Sequence, residues 1–192
     1  ICHDEGICQP ILLGNKHIIK ELMIEIDFDA DVQIIDPFSD DESVRRNAYA
    51  HKLWELRARK GVTKYDAEKM MRERNYFAAM MVNQGDADAL ISGYSRAFPT
   101  VVKPYLQLIG MGKGVSRVAT TNLMNTSRGP LFISDTSLNI NPSAKDLAKI
   151  TLMTARTVQL FGMEPVIALV SYANFGSSDD ERAVKVREAV AY

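Results

Sequence analysis

Short apolar or β-branched runs alternate with capped amphipathic segments along the whole chain. That alternation points to an α/β fold with mainly parallel sheets. The first run is the Ile-Leu-Leu after Pro10, and Asn15 then opens an amphipathic helix to about Glu25. Val32 to Ile35 reads as a second strand, stopped by Asp36-Pro37. Ser39 and Glu42 offer a capping box ahead of a long helix with Tyr49, Leu53 and Leu56 on one face. That helix ends near Lys60-Gly61, as a cation followed by glycine should. Thr63 or Asp66 starts a charged helix to about Arg74, and Asn75 caps another over Tyr76 to Gln84. Met80 and Met81 in it read as core filler. Ala87 to Ile91 then has a buried-strand pattern, and Pro99 to Ile109 a helical one in which Pro104 marks a kink or break.

The stretch from Gly110 to Asp146 is the most informative. It holds a glycine-and-cation loop (Met111 to Arg117), apolar strands at Val118 to Met124 and Leu131 to Ser134, and a polar turn at Asn125 to Pro130. Ser143 is a good N-cap with Asp146 three residues on. Small residues, Lys113, Arg117 and the N–H groups of a helix start could together hold a phosphorylated ligand. Read structurally, the same residues are a strand–turn–strand with an ordinary capped helix behind it. That helix carries Leu147, Ile150, Val158 and Phe161 on one stripe and stops at Gly162. Pro165 to Val170 reads as another buried strand, followed by a polar loop and a final helix from Asp179. The polar turn at Asn125 to Pro130 is the expected domain junction, giving a first domain over 1–129 and the start of a second over 130–192.

Composition narrows the function classes. A net charge of −1 gives no reason to expect nucleic acid or an anionic membrane as partner. No apolar run is long enough to span a bilayer, and no secretory leader pattern opens the chain, whose Ile1 to Gly6 read as the tail of a helix entered partway. Cys2 and Cys8 are too far apart for a CxxC pair, which points to a reducing, cytoplasmic setting. His3, His17 and His51 are scattered, so neither a metal site nor a Ser-His-Asp set can be assembled. Neither dinucleotide nor P-loop fingerprints occur. Three strand-end loops remain: Ser92-Gly93-Tyr94-Ser95-Arg96, the segment through Ser116-Arg117, and Ser171 to Ser178. Hydroxyls, free N–H groups and guanidinium forks suit an anionic ligand, and ligands of open α/β sheets sit at strand carboxyl ends.

Several longer strings occur in one order and spacing: YAHKLWELRARKGVT, NYFAAMMVNQGDADALISG, KPYLQLIG followed by GVSR, FISDTSLNINPSAKDLA, and VIALVSYANFGSS. On these the chain resembles the phosphate acetyl/butyryltransferase family from end to end. More narrowly, SRVATTNLM and MEPVIALVSYANFGSS are similar to the acyltransferase-like C-terminal domain of bacterial NADP-dependent malic enzymes. The resemblance implies two α/β/α subdomains around a cleft, like isocitrate dehydrogenase, with the second incomplete here. It implies a cleft for an acyl-CoA and phosphate lined by Ser92, Gly93, Ser95, Lys103, Ser116, Arg117, Ser171 and Gly176. It also implies a homodimer or higher homo-oligomer.

Three departures from the family pattern stand out. Active transferases carry arginine where this chain has Lys103, which keeps the charge but loses the bidentate fork. They carry lysine where this chain has Phe175, and their R-P-[VI]-N-D-L-S-R-G motif would lie past Tyr192. The expected function is therefore a regulatory domain that binds acetyl-CoA and is not catalytic alone. Malate oxidation, with NADP and a divalent metal, would belong to N-terminal malic enzyme domains. The alternatives are an active phosphate acetyltransferase, and a dimerisation module without a ligand.

Overall fold

The computed structural model describes residues 2–174 and 176–192; Ile1 and Phe175, both singled out above, lie outside the described residues. The chain forms two compact units, 1–110 and 111–192. The boundary expected at 129/130 falls instead inside a hairpin, because Asn125 to Pro130 is its turn: Asn125 pairs with Pro130 and Thr126 with Gly129.

The first unit opens with a strand–helix–strand. Strand β1 (Ile11–Leu13) and β2 (Gln33–Ile35) are parallel, with Ile11 opposite Gln33 and Leu13 opposite Ile35. Between them lies α1 (Lys16–Glu25), capped by Asn15, whose side chain accepts from the N–H groups of His17 and Ile18. Helix α2 (Ser43–Arg57) follows a short 3-10 turn at Asp40–Glu42. Ser39 does not form the expected capping box; its hydroxyl donates to the Asp36 carbonyl instead. Tyr49 and Leu53 are buried as expected, but Leu56 is 45% exposed, so the buried stripe ends one turn early.

Helix α3 (Lys64–Met70) starts with a complete Thr63/Asp66 capping box. It stops before α4 (Arg74–Gln84) because the Glu73 carboxylate caps that helix, accepting from the N–H groups of Asn75 and Tyr76. Asn75, expected as the cap, sits inside the first turn and is buried. Gly85 terminates α4 at φ 82°, a left-handed position that disfavours any Cβ. Helix α5 (Phe98–Leu108) runs on through Pro104, which is buried. Phe77, Leu53, Met71 and Met80 form the centre of this unit's core, and the Phe77 ring packs on Tyr49 with centroids 5.1 Å apart.

The second unit is built on an antiparallel hairpin, β3 (Thr121–Thr126) and β4 (Gly129–Ser134). Helix α6 (Ala144–Leu160) covers one hairpin face, where buried Thr154 donates to Ser134 Oγ at 2.6 Å and Phe132 meets Phe161 edge-on. Met124, Leu131 and Ile133 alternate onto the opposite face and are 41–51% exposed. Helix α7 (Glu181–Ala189), capped by Asp180, packs on α6.

The expectation of an α/β fold holds, but the sheets are small: one parallel pair and one antiparallel pair among the described residues. The strands expected at 87–91 and 165–170 are not formed, and Ile91, Val166 and Val170 are almost wholly exposed. A buried-strand pattern yields a strand only where a neighbouring strand takes its N–H and C=O groups. No described strand pairs with either segment.

Candidate functional site

The residues singled out for ligand contact divide between the two units. The first unit holds Ser92, Gly93, Ser95 and Lys103. Residues 87–97 leave the end of α4, pack Ala87 and Leu90 against the core, and then expose Ser92 to Ala97. Ser92 Oγ donates to Asn75 Oδ1 at 2.7 Å, and Gly93 follows at φ 128°, a backbone angle glycine adopts freely. Ser95 and Lys103 are exposed, and among the described residues Lys103 makes no hydrogen bond or ion pair.

Behind this loop the helices are joined by side-chain hydrogen bonds. Tyr76 Oη donates to Gln107 Oε1 at 2.7 Å, and Asn83 Nδ2 donates to the Leu108 carbonyl at 2.8 Å. The Tyr105 hydroxyl is buried close to Ser92, and burial raises its pKa. The separation falls outside hydrogen-bond geometry, so Tyr105 Oη counts as lacking a partner among the described residues. Tyr49 donates to Asp86 just after α4, and its pKa rises through burial first and the Asp86 carboxylate second.

The second unit holds Ser116 and Arg117 in one cluster, Ser171 and Gly176 in another. Arg117 is not a free cation. Its Nε pairs with Asp146 Oδ1 at 2.9 Å and its Nη1 donates to Asn139 Oδ1 at 3.0 Å. Asn139 Nδ2 in turn donates to Asp135 Oδ1 at 2.7 Å and to the Val118 carbonyl at 3.1 Å. Asp135 holds φ 59°, uncommon for a residue with a side chain. Asp146 also completes the expected capping box: Oδ2 accepts from Ser143 Oγ at 2.7 Å and from the Ser143 N–H at 3.2 Å. The Ser143 hydroxyl above all, with that N–H and the Arg117 guanidinium, holds the Asp146 carboxyl below its usual range against an opposing burial effect second in size to the hydroxyl's. Ser116 Oγ accepts from Lys149 Nζ at 2.8 Å.

Ser171 Oγ accepts from the Ala173 N–H at 3.1 Å, which makes a local turn. Gly176 lies at φ 78°, where a Cβ would come within 3.2 Å of Arg187 Nη1 on α7. Among the described residues no hydrogen bond or ion pair joins this loop to Ser116 or Arg117, and no three His, Cys, Asp or Glu side chains form a cluster able to hold a metal ion.

Sequence reading missed Lys149, Asn139 and the Arg117–Asp146 pair because they lie 22 to 33 residues from the groups they meet. Regular spacing could not have found them. Asn75 was visible but assigned a capping role, and the acidic Glu73 two residues before it was the signal that a stronger cap competes.

The chain is 35% identical over 190 residues to an NADP-dependent malic enzyme of Haemophilus influenzae, covering 96% of this chain and 25% of that protein. It is 34% identical over 194 residues to a phosphate acetyltransferase of Clostridium acetobutylicum, covering 97% of this chain and 57% of that one. Among solved structures, a phosphotransacetylase from Streptococcus pyogenes superposes with a TM-score of 0.82 at 35% identity, over 99% of this chain and 57% of that one. The EutD phosphotransacetylase from Staphylococcus aureus gives 0.77 at 29% identity, covering 95% of this chain and 55% of that one. The chain thus spans a quarter of the malic enzyme and little over half of the transacetylases. The family model described as phosphate acetyl/butaryl transferase matches residues 1–192. The chain belongs to the phosphate acetyl/butaryl transferase family.

Proposed function

We propose that this chain is a phosphotransacetylase-like regulatory domain of a malic enzyme, binding acetyl-CoA or a related acyl-CoA as effector. The observation that carries this reading is the state of the cations. Arg117 is engaged by the Asp146 carboxylate and the Asn139 amide, and Ser116 by Lys149, so the cluster is already internally compensated. The cation in the first unit's set is Lys103, without a guanidinium fork. An acyl transferase needs donors held free and aimed at developing negative charge. A domain that senses a ligand needs only differential affinity between two states.

In this reading malate oxidation, with NADP and a divalent metal, resides in malic enzyme domains N-terminal to this one. The assembly is a cytoplasmic homodimer or higher homo-oligomer. The eight residues from Ser92 to Gly176 named above remain the ligand contacts. The identity to a transacetylase, 34%, is within a point of the 35% to a malic enzyme, which supports a second reading as a phosphate acetyltransferase that forms acetyl phosphate from acetyl-CoA and phosphate.

Calorimetric titration of acetyl-CoA, with the same sample assayed for phosphate-dependent acetyl transfer, separates the readings. Binding without turnover supports the regulatory domain. Turnover establishes the transferase. Absence of both leaves a dimerisation module.

A further inference from the structure

Asn75 is buried at 5% exposure although its amide carries two donors and an acceptor. All of its described partners are fixed. Its Nδ2 donates to Glu73 Oε1 at 3.2 Å, and the other Glu73 oxygen accepts from the backbone N–H groups of Asn75 and Tyr76. A carboxylate can only accept, so the amide nitrogen must face Glu73 and the amide oxygen must face Ser92. Ser92 therefore gives its single proton to Asn75 Oδ1, which leaves its oxygen an acceptor on an exposed residue, with the buried Tyr105 hydroxyl close by. Among the described residues this is the side-chain hydrogen bond that ties residues 87–96, which have no strand or helix of their own, to the helical core.

We propose that Asn75 is a positioning residue: held by the Glu73 cap, it fixes Ser92 Oγ as a hydrogen-bond acceptor, so this hydroxyl meets an N–H donor of the ligand and not a phosphate oxygen. This deepens the reading given under Proposed function and rests on it for the ligand. The pantetheine arm of an acyl-CoA carries amide N–H groups of the required kind. Anion recognition would then fall to other residues of the domain.

Four proteins test it: wild type, Asn75→Ala, Ser92→Ala and the double variant that closes the cycle. Ser92 is exposed, so Ser92→Ala keeps the test valid if loss of the buried amide unfolds the helix start. The ligand-independent readout is amide hydrogen exchange over residues 90–97. Both single variants should raise it, and unchanged exchange in Ser92→Ala overturns the positioning role whatever the ligand. The ligand readout is titration with acetyl-CoA and, separately, with inorganic phosphate. Each single variant should weaken acetyl-CoA by about five-fold, the double variant no further, and phosphate affinity should stay unchanged. Additive losses, or a loss confined to phosphate, overturn the proposal. A wild type that binds no acetyl-CoA overturns the ligand reading, while the exchange result still decides the role of Asn75.

Discussion

Phe77→Ala should remove a large part of the stability of the first unit. Phe77 is fully buried in α4 at the centre of that core. Burying such a side chain is worth about 1.5–3 kcal/mol. Its tilted contact with Tyr49, centroids 5.1 Å apart, adds about 0.5–1.5 kcal/mol. Neighbours such as Leu53 and Met80 are held on separate helices and cannot close the hole fully, so a loss of about 3–5 kcal/mol is expected. Domains of this size have about 5–15 kcal/mol in all. The measurement is urea denaturation followed by Trp54 fluorescence. Trp54 is the single tryptophan and packs on this same core, so its signal reports this unit. With a slope of about 1–3 kcal/mol per molar urea, the midpoint should fall by roughly 2 M. Phe77→Leu, which keeps much of the volume but loses the ring pair, should lose only about 1 kcal/mol. A Phe77→Ala loss under about 1 kcal/mol would refute the assignment of this core.

Other perturbations bear on caps and charge. Thr63→Ala breaks a capping box at the start of α3 and should destabilise by about 1 kcal/mol, read by the same fluorescence titration. Gly85→Ala forces a Cβ onto φ 82° at the end of α4 and should destabilise by about 1 kcal/mol, whereas Gly112→Ala, which has no positive φ, should be near neutral. The Asp146 carboxyl titrates below its unfolded value of about 3.9, so its contribution is present above that pH and lost as pH falls through the lower folded value. Acid titration of the helix signal should therefore show a shallower loss in Asp146→Asn; an unchanged acid limb would remove Asp146 from the account. Tyr49 titrates above its ordinary value, so its contribution is present below about pH 10 and is lost as pH rises beyond it. Tyr49→Phe should blunt the alkaline loss of Trp54 signal.

Local chemistry was legible in the sequence. Asn15, Thr63 and Ser143 cap the helices they were expected to cap, and Gly61, Gly85 and Gly162 all hold positive φ at helix ends. These signals lie within a few residues of the group they satisfy. Pairing was not legible. Ala87 to Ile91 and Pro165 to Val170 have strand composition, but a strand is a property of two segments. Asn125 to Pro130 forms a hairpin turn and not a domain junction, and polar turn residues mark both alike. The same limit applies to the site. SGYS and GVSR were visible as loops, whereas the groups that fix their hydroxyls and guanidinium, Asn75, Lys149 and Asp146, come from other elements.

The hairpin of the second unit has one side that its own helices leave bare. A two-stranded ribbon is marginal by itself in water, and α6 shelters only the side bearing Phe132 and Ser134. The other side offers Met124, Leu131 and Ile133 to solvent, beside strand edges that no described strand caps. Any self-association that covers this side binds the folded ribbon and not the unfolded chain, so mass action adds to stability in proportion to the logarithm of concentration. If copies associate through this side, melting curves taken at micromolar and at millimolar protein describe different equilibria, and the denser sample melts higher; equal melting points would leave this side uncovered.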